Sequence, residues 1–338
     1  FCSHHPNLQH HRDSLRGEVP RGLRLMANSS TRIPSRAGAA VAGARASVQS
    51  GLTKRGSIAD VGRAAFVGLM IVALSVAVVA IFAILAWAFV EGRTRLDLDL
   101  ITNGPSTARR ATAGYSVAIV GTLQIIAGVI AVIVPLGTGA AIYLEQFADR
   151  SKWYNRAIEL NIQNLAGVPS IVFGILGLAF FVRGPFSWGL VAAAGSATIA
   201  LLVLPTVILA SREAIRAVPS SILEGSLALG VTRWQGVRKQ VLPAAFPGIL
   251  TGIILAISRA IGEAAPLLLV GALTFVTFYP SFFEGGFSAL PVLIYNYAGR
   301  AQVEFQILAA AGVLLMLVIL LAINSVAIWL RARYERTW

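Results

Sequence analysis

Six long apolar segments constrain the fold of this chain more than any other feature of its sequence. Each segment reaches or approaches about 20 residues, which is the length that an α-helix needs to cross the hydrocarbon core of a bilayer. Because lipid leaves backbone groups no other partners, spanning segments are helices or closed barrels. The pattern predicts an all-α membrane protein with six transmembrane helices, at residues 64–90, 116–144, 162–182, 188–211, 247–274 and 307–330.

The composition supports a membrane protein. Hydrophobic residues make up 56% of the 338 residues and charged residues only 13%, against roughly 25% charged residues in soluble domains. A net charge of +13 would indicate nucleic acid for a soluble protein. Membrane proteins instead gather Arg and Lys on the cytoplasmic side, where these residues contact anionic lipid, so we predict no nucleic-acid partner. The single Cys2 excludes an internal disulfide framework and a cysteine metal cluster.

Residues 1–62 differ in character from the rest of the chain. They are polar, basic and rich in Gly, Ser and Ala, which predicts a disordered tail ahead of a transmembrane domain at 63–338. The chain begins with Phe1, and Met26 is an alternative start. A flexible tail is a poor scaffold for a metal ion, so no metal site is predicted at the four histidines, His4, His5, His10 and His11.

Basic residues predict the orientation. With the amino terminus inside, the inner segments 145–161 and 212–246 and the carboxyl terminus hold most of the loop Arg and Lys residues, although the first outer loop holds four Arg residues. An even number of spans then places both termini in the cytoplasm.

The segment 213–243 carries strong local signals for two short helices joined at a glycine. Gly230 is suited to the left-handed conformation that ends a helix. Thr232 and Gln235 have the spacing of a capping box that starts the next helix, and Pro243 is predicted to end it. Two interpretations are open: a hairpin that lies on anionic lipid, or a rigid element that couples the chain to a partner.

This segment resembles the EAA loop of ABC importer permeases, in which E-A-A is followed after three residues by G and later by I-x-L-P. Gly and Ser replace the two alanines here, and Gln240 or Val241 stands near the usual Ile. The resemblance implies that the loop docks on an ATPase subunit. The matching residues, predicted to couple to that ATPase, are Glu224, Gly225, Ser226, Gly230, Leu242 and Pro243.

Three further stretches resemble the A-type permease of Pst phosphate importers: 141–145 with 158–178, 255–271, and 290–296 continuing to Asn324. The resemblance implies a type I, MetI-like permease bundle in a bacterial inner membrane. It also implies three partners: a second permease of the C type, an ATPase dimer, and an extracytoplasmic phosphate-binding protein. The chain has no G-x-x-x-x-G-K-[ST] loop of its own. It is therefore predicted to be no enzyme and to hold no cofactor, with ATP hydrolysed by the partner.

Arg259 and Glu263 lie within the fifth apolar segment. Ionisable residues at that depth cost roughly 3 kcal/mol each on insertion scales and usually face an interior cavity. An Arg fork can hold a phosphate oxygen pair, and a carboxylate four residues away can compete for it and so permit release. Two interpretations remain: residues that line a translocation path, or a structural ion pair. Gly262 between them suits close helix approach or local unwinding.

Other polar and small residues give weaker predictions. Asn161 and Asn164 are interpreted as caps at the start of the third span, and Gln124 and Ser170 as further contacts of the path. Tight helix packing is predicted at Gly167, Gly174 and Gly177. The final outer loop is interpreted as an interfacial aromatic belt or as a dock for an external binding protein, through Phe275, Phe278, Tyr279, Phe282 and Phe283.

Three alternative functions compete with that of a phosphate importer. An ABC importer for sulfate or molybdate would share the same loop and bundle. A secondary transporter driven by an ion gradient would normally show inverted repeats with paired broken helices, and no such symmetry is visible. A membrane scaffold has no reason to place Arg259 and Glu263 in mid-membrane.

Overall fold

The computed structural model describes residues 36–108, 110–149, 151–272 and 276–334. The regular structure of these residues is entirely helical, which confirms the predicted all-α class. The twelve α-helices are α1 Arg36–Gly92, α2 Leu98–Thr102, α3 Ser116–Ile142, α4 Trp153–Ala166, α5 Ser170–Gly177, α6 Ala192–Arg216, α7 Ser220–Ala228, α8 Arg233–Gly236, α9 Leu242–Gly262, α10 Ala265–Val270, α11 Leu290–Ala298 and α12 Val303–Tyr334. Three π-helical turns, Tyr143–Phe147, Leu178–Val182 and Val237–Val241, continue α3, continue α5 and lead into α9.

Five helical stretches of the described residues are long and apolar enough to cross a membrane. A sixth span exists if α4 and α5 are counted together, although they are bent by 107° at their junction. The five stretches are Gly62–Arg95, Ser116–Phe147, Ala192–Arg216, Arg233–Gly262 and Val303–Arg333.

The third predicted span, 162–182, is wrong as a straight helix. Gly167 caps the end of α4, and Pro169 precedes α5. Proline disfavours helical backbone at the residue before it, which breaks the run. Asn161 consequently lies inside α4, where its Nδ2 donates to Ala157 O at 2.8 Å, and Asn164 lies near the end of that helix. The prediction that these two residues cap the start of a span is therefore also wrong.

The fifth predicted span, 247–274, has different limits in the structure. Helical backbone runs from Arg233 through Gly262, so Pro243 does not end the second helix of the hairpin. Pro243 lies in the first turn of α9, where the preceding π-helical turn ends and where a missing N–H costs little. The span ends early because α9 stops at Gly262 and α10 is a separate short helix.

The amino-terminal region is more helical than its composition predicted. Residues 36–62 belong to α1, whereas residues 1–35, with the four histidines, lie outside the described residues. Ala and Arg are good helix formers, and the segment continues directly into an apolar span. The chain divides into two units after Val78, and the domain boundary at 62/63 stays a prediction.

The core of the second unit lies where α3, α6 and α9 meet. Val129, Ile133, Ile199 and Val203 are fully buried there. Small residues bring neighbouring helices together, because a Cβ added at Gly137 would lie 2.7 Å from a methyl group of α6. A Cβ added at Gly174 would lie 2.8 Å from Pro266 Cα, and one added at Gly177 would overlap the Thr198 hydroxyl, as predicted, whereas Gly167 has no close neighbour on another helix.

The segment 276–289, predicted as an outer loop, folds against α3 and α6. Gln124 Nε2 donates to Pro280 O at 2.8 Å, and the amide of Ala193 donates to Phe282 O at 2.9 Å. Gln124 therefore holds this segment to α3. Phe282 packs on the core, so it is not part of an exposed belt. Phe278, Tyr279 and Phe283 are exposed, and Phe275 lies outside the described residues.

Candidate functional site

The structure brings Arg259 and Glu263 together at the end of α9. Arg259 Nε donates to Glu263 Oε1 at 3.3 Å, and the two side chains are 43% and 18% exposed in this chain. Glu263 is the first residue beyond the helix and has extended backbone. The pair therefore lies at a break in the span and not, as predicted, within a continuous helical turn.

The pair belongs to a face of α9 that the described residues leave uncovered. Leu255 and Gly262 are exposed on this face, while Ala256 and Ala260 are buried on the other. A Cβ added at Gly262 would meet no atom within 4 Å, so this glycine allows the helix to end but packs against nothing in this chain. Because a charge facing lipid is costly, this face requires water or another protein surface.

A neutral polar contact lies beside the ion pair. Ser258 Oγ lies 2.7 Å from Asn324 Oδ1 of α12 and 2.8 Å from Ile254 O. The contact joins α9 to α12 one residue before Arg259. Nothing in the local sequence indicates this pairing, because the two residues lie 66 positions apart.

The hairpin between α6 and α9, residues 217–241, has the turn and the helix cap that its sequence predicted. Gly230 has φ of +81° and ends α7 in the left-handed conformation. Thr232 and Gln235 form a capping box, in which each side chain accepts from the other residue's backbone N–H. Both predictions are confirmed.

Close contact between its two arms makes the hairpin rigid. A Cβ added at Gly236 would lie 2.7 Å from Ser226 Oγ and 2.9 Å from Leu223 Cδ1. Ser226 Oγ in turn donates to Leu223 O at 2.7 Å. Behind these arms, Val237 and Val241 are buried, so the hairpin is anchored on the start of the span.

The tip of the hairpin presents apolar side chains that the described residues leave largely exposed. Leu229 is 86% exposed, and Leu227 and Trp234 are exposed beside it. Glu224 and Gly225 are exposed on the same arm. Exposed apolar groups clustered on a rigid knob are typical of a protein interface.

A group of charged residues at the base of the hairpin was not predicted as a site. This charge cluster consists of Glu145, Glu159, Arg212 and Arg216. Arg216 Nε and Nη2 donate to the two oxygens of Glu145 at 3.1 and 3.0 Å. Arg212 Nη2 donates to Glu159 Oε1 at 2.7 Å, and its Nε lies 3.5 Å from Glu145 Oε2. The only sequence signal was that Arg212 and Arg216 share one helical face, four residues apart.

Short-range hydrogen bonds hold the loop that connects the π-helical turn after α3, which carries Glu145, to α4, which carries Glu159. The backbone N–H and the hydroxyl of Ser151 both donate to Asp149 Oδ1, at 2.9 and 2.7 Å. These bonds lower the pKa of the Asp149 carboxyl, because they stabilise its charged form. Within the described residues, no group of His, Cys, Asp and Glu has the arrangement of a metal site.

Known proteins are similar in sequence to most of the region that holds these sites. Residues 133–337 match the model of the binding-protein-dependent transport system inner membrane component. The probable ABC transporter permease protein YqgI of Bacillus subtilis is 34% identical over 189 residues, which cover 56% of this chain and 63% of the relative. The phosphate transport system permease protein PstA of Yersinia pestis is 34% identical over 240 residues, 70% of this chain and 79% of the relative.

A solved structure supports the fold. An inward-facing form of the MetNI methionine ABC transporter superposes with a TM-score of 0.51 at 17% identity, covering 68% of this chain and 100% of that chain. The likeness confirms the predicted MetI-like bundle. The chain spans about three fifths of the length of the first curated relatives that it matches, 63% and 60%. Because the family model covers more than half of the 338 residues, this chain belongs to the binding-protein-dependent transport system inner membrane components.

Proposed function

We propose that this chain is a transmembrane subunit of an ATP-driven importer of inorganic phosphate. The observation that carries the proposal is the hairpin, a rigid knob with an exposed apolar tip, anchored directly on the span that ends at the Arg259–Glu263 pair. Family membership supports the importer class, and the similarity to PstA supports phosphate as the substrate.

In this proposal the exposed face of α9 lines the translocation path together with a second permease. The Arg259 guanidinium offers two parallel N–H donors that suit a phosphate oxygen pair. Glu263, whose Oε1 lies 3.3 Å from Arg259 Nε, competes with phosphate for the guanidinium and pairs with it once phosphate leaves. The path is thereby reset, and the arginine is never left as a bare charge in a low-dielectric channel.

The hairpin is proposed to dock on a cytoplasmic ATPase through Glu224, Gly225, Ser226 and Gly230. Leu242 and Pro243 lie in the first turn of α9, and the backbone is helical from Arg233 through Gly262, so a push on the tip acts on α9 without a flexible joint. ATP is bound and hydrolysed on that partner, and this chain holds no cofactor. This arrangement requires both termini to lie in the cytoplasm and a phosphate-binding protein to deliver substrate from outside.

Reconstituted transport tests the proposal. The chain is assembled in liposomes with the second permease, the ATPase and the phosphate-binding protein, and ATP-dependent uptake of phosphate is measured with sulfate as competitor. We expect saturable phosphate uptake that sulfate does not inhibit. Uptake of sulfate but not phosphate would refute the substrate, and uptake driven by a proton gradient without ATP would refute the importer class.

The role of Arg259 is tested in the same vesicles. Arg259→Gln removes the anion-binding fork and should abolish uptake, while Arg259→Lys keeps the charge but loses the bidentate geometry and should retain only a small fraction. Arg183→Gln, an exposed arginine away from the pair, is the matched control. Normal uptake by an assembled Arg259→Gln complex would leave the pair with a structural role only.

A further inference from the structure

The charge cluster joins three separate segments at the base of the hairpin. Glu145 lies in the π-helical turn that ends α3, Glu159 on α4, and Arg212 and Arg216 in the last two turns of α6. Glu145 is the hub, because both arginines contact its carboxylate. The bidentate fork from Arg216 fixes the orientation of that carboxylate as well as its charge.

Burial makes the hub sensitive to the loss of either charge. The side chains of Arg212 and Glu145 are only 6% and 8% exposed, whereas that of Arg216 is 54% exposed. Removing one member of a buried pair leaves an uncompensated charge, which is far more disruptive than losing an exposed pair. Glu145 is therefore the critical member, and Arg216 is the member that tolerates substitution.

The same π-helical turn touches the hairpin directly. Two residues after Glu145, the Phe147 ring lies 6.2 Å from the Trp234 ring, and the Arg233 guanidinium lies 5.8 Å from the Phe147 ring. Beside these contacts, a cleft of about 400 Å³ is lined by residues of this turn, α6 and the hairpin, including Glu145, Arg216, Glu224 and Arg233. One short turn thus contacts α6 through its carboxylate and the hairpin through its aromatic ring.

The hairpin also has a short root on the other side of the cluster. Arg216 is the last residue of α6, and only residues 217–219 separate it from α7. A displacement of the hairpin therefore reaches Arg216 through a very short linker. Through the Glu145 carboxylate it then reaches the end of α3, and through Arg212 and Glu159 it reaches α4.

We infer that Glu145 is a positioning residue for energy coupling, which ties the root of the hairpin to α3, α4 and α6 so that these helices move with α9. This inference rests on the proposed function, because it assigns a route to the motion that the ATPase imposes. The hairpin drives α9 directly as a continuous helix, and the charge cluster extends the same motion to the rest of the bundle. Without the cluster, ATP is hydrolysed but the bundle follows incompletely.

The test is the number of ATP molecules hydrolysed per phosphate taken up by the complete reconstituted transporter. Glu145→Gln, a neutral variant of equal size, should raise this ratio at least about tenfold, because it breaks a buried contact. Arg216→Gln should raise it only about threefold, as expected for a half-exposed pair. The double variant should match Glu145→Gln alone, because Glu145→Gln already removes the only contact in the charge cluster that Arg216→Gln would remove. Arg183→Gln, an exposed arginine just after the π-helical turn that continues α5 and outside the charge cluster, should leave the ratio unchanged.

Assembly and melting temperature are measured alongside, so that a purely structural role is recognised. An assembled Glu145→Gln transporter with the wild-type ratio would overturn the inference, and so would effects that multiply in the double variant. If Glu145→Gln does not assemble, Arg216→Gln and Glu145→Asp decide: an unchanged ratio in both overturns the inference, and a raised ratio in Arg216→Gln supports it. A wild-type transporter that shows no ATP-dependent phosphate uptake would refute the proposed function itself.

Discussion

Gly230 allows the coupling hairpin to be perturbed at one well-defined point. Its φ of +81° is unfavourable for residues with a Cβ, yet a Cβ added there would meet no atom within 4 Å. The cost of a side chain is therefore confined to the backbone, at about 1–2 kcal/mol, and is highest for a β-branched residue. A cost of that size shifts the ratio of native to distorted tip by about 5- to 30-fold.

Hydrogen exchange measures this shift directly. The amide of Gly230 donates to Leu227 O at 2.9 Å and the amide of Val231 donates to Ser226 O at 3.3 Å, and both bonds open when the tip distorts. In Gly230→Val, exchange of these amides should accelerate by about 5- to 30-fold. ATP hydrolysis should also become less tightly coupled to uptake, because the hairpin tip adopts its native, docking-competent conformation less often.

Two variants serve as controls for the Gly230 experiment. Gly230→Asn should have a smaller effect, since Asn tolerates the left-handed conformation. Gly225→Ala adds a methyl group in the helical arm, where again no atom lies within 4 Å. It should stabilise that arm by about 1 kcal/mol, because glycine is a poor helix former. Unchanged exchange in Gly230→Val, or equal acceleration in Gly225→Ala, would show that left-handed strain does not control the tip.

Three further predictions follow from single contacts. Gly177→Ala places a methyl group on the Thr198 hydroxyl and should lower the stability of the bundle by about 1–3 kcal/mol in thermal unfolding. Gly139→Ala, whose methyl group would meet no atom within 4 Å, is the control and should leave the melting temperature unchanged. Equal melting temperatures for the two variants would refute this packing. Gln124→Leu removes the 2.8 Å hydrogen bond to Pro280 O and should weaken the attachment of the segment 276–289 by about 1–2 kcal/mol. Proteolysis of that segment should become faster, and an unchanged cleavage rate would count against the contact. Thr232→Ala removes the capping box and should lower the hydrogen-exchange protection of α8 by about 1 kcal/mol. Thr232→Ser keeps the hydroxyl and should retain most of this protection. Unchanged protection in Thr232→Ala would contradict the cap.

The hairpin shows how far local sequence signals reach. Gly230 and the capping box at Thr232 were both predicted, because a left-handed turn and a helix cap depend on residues within a few positions. The prediction that Pro243 ends a helix is wrong, because proline disrupts the interior of a helix but is tolerated in its first turn. Which case applies depends on where the π-helical turn before it ends, and no local pattern specifies that position.

The apolar segments by themselves determined that this chain crosses a membrane, and the spacing of Arg259 and Glu263 determined that the two side chains can meet. The length of an apolar segment and a spacing of four residues are local properties of a helix, so the sequence alone predicts what each implies. The tertiary structure alone decided that α4 and α5 bend by 107°, that α9 ends at the ion pair, and that Glu145 meets Arg216 across 71 positions. Such contacts depend on how helices pack, and packing is set jointly by side chains that lie far apart in the chain.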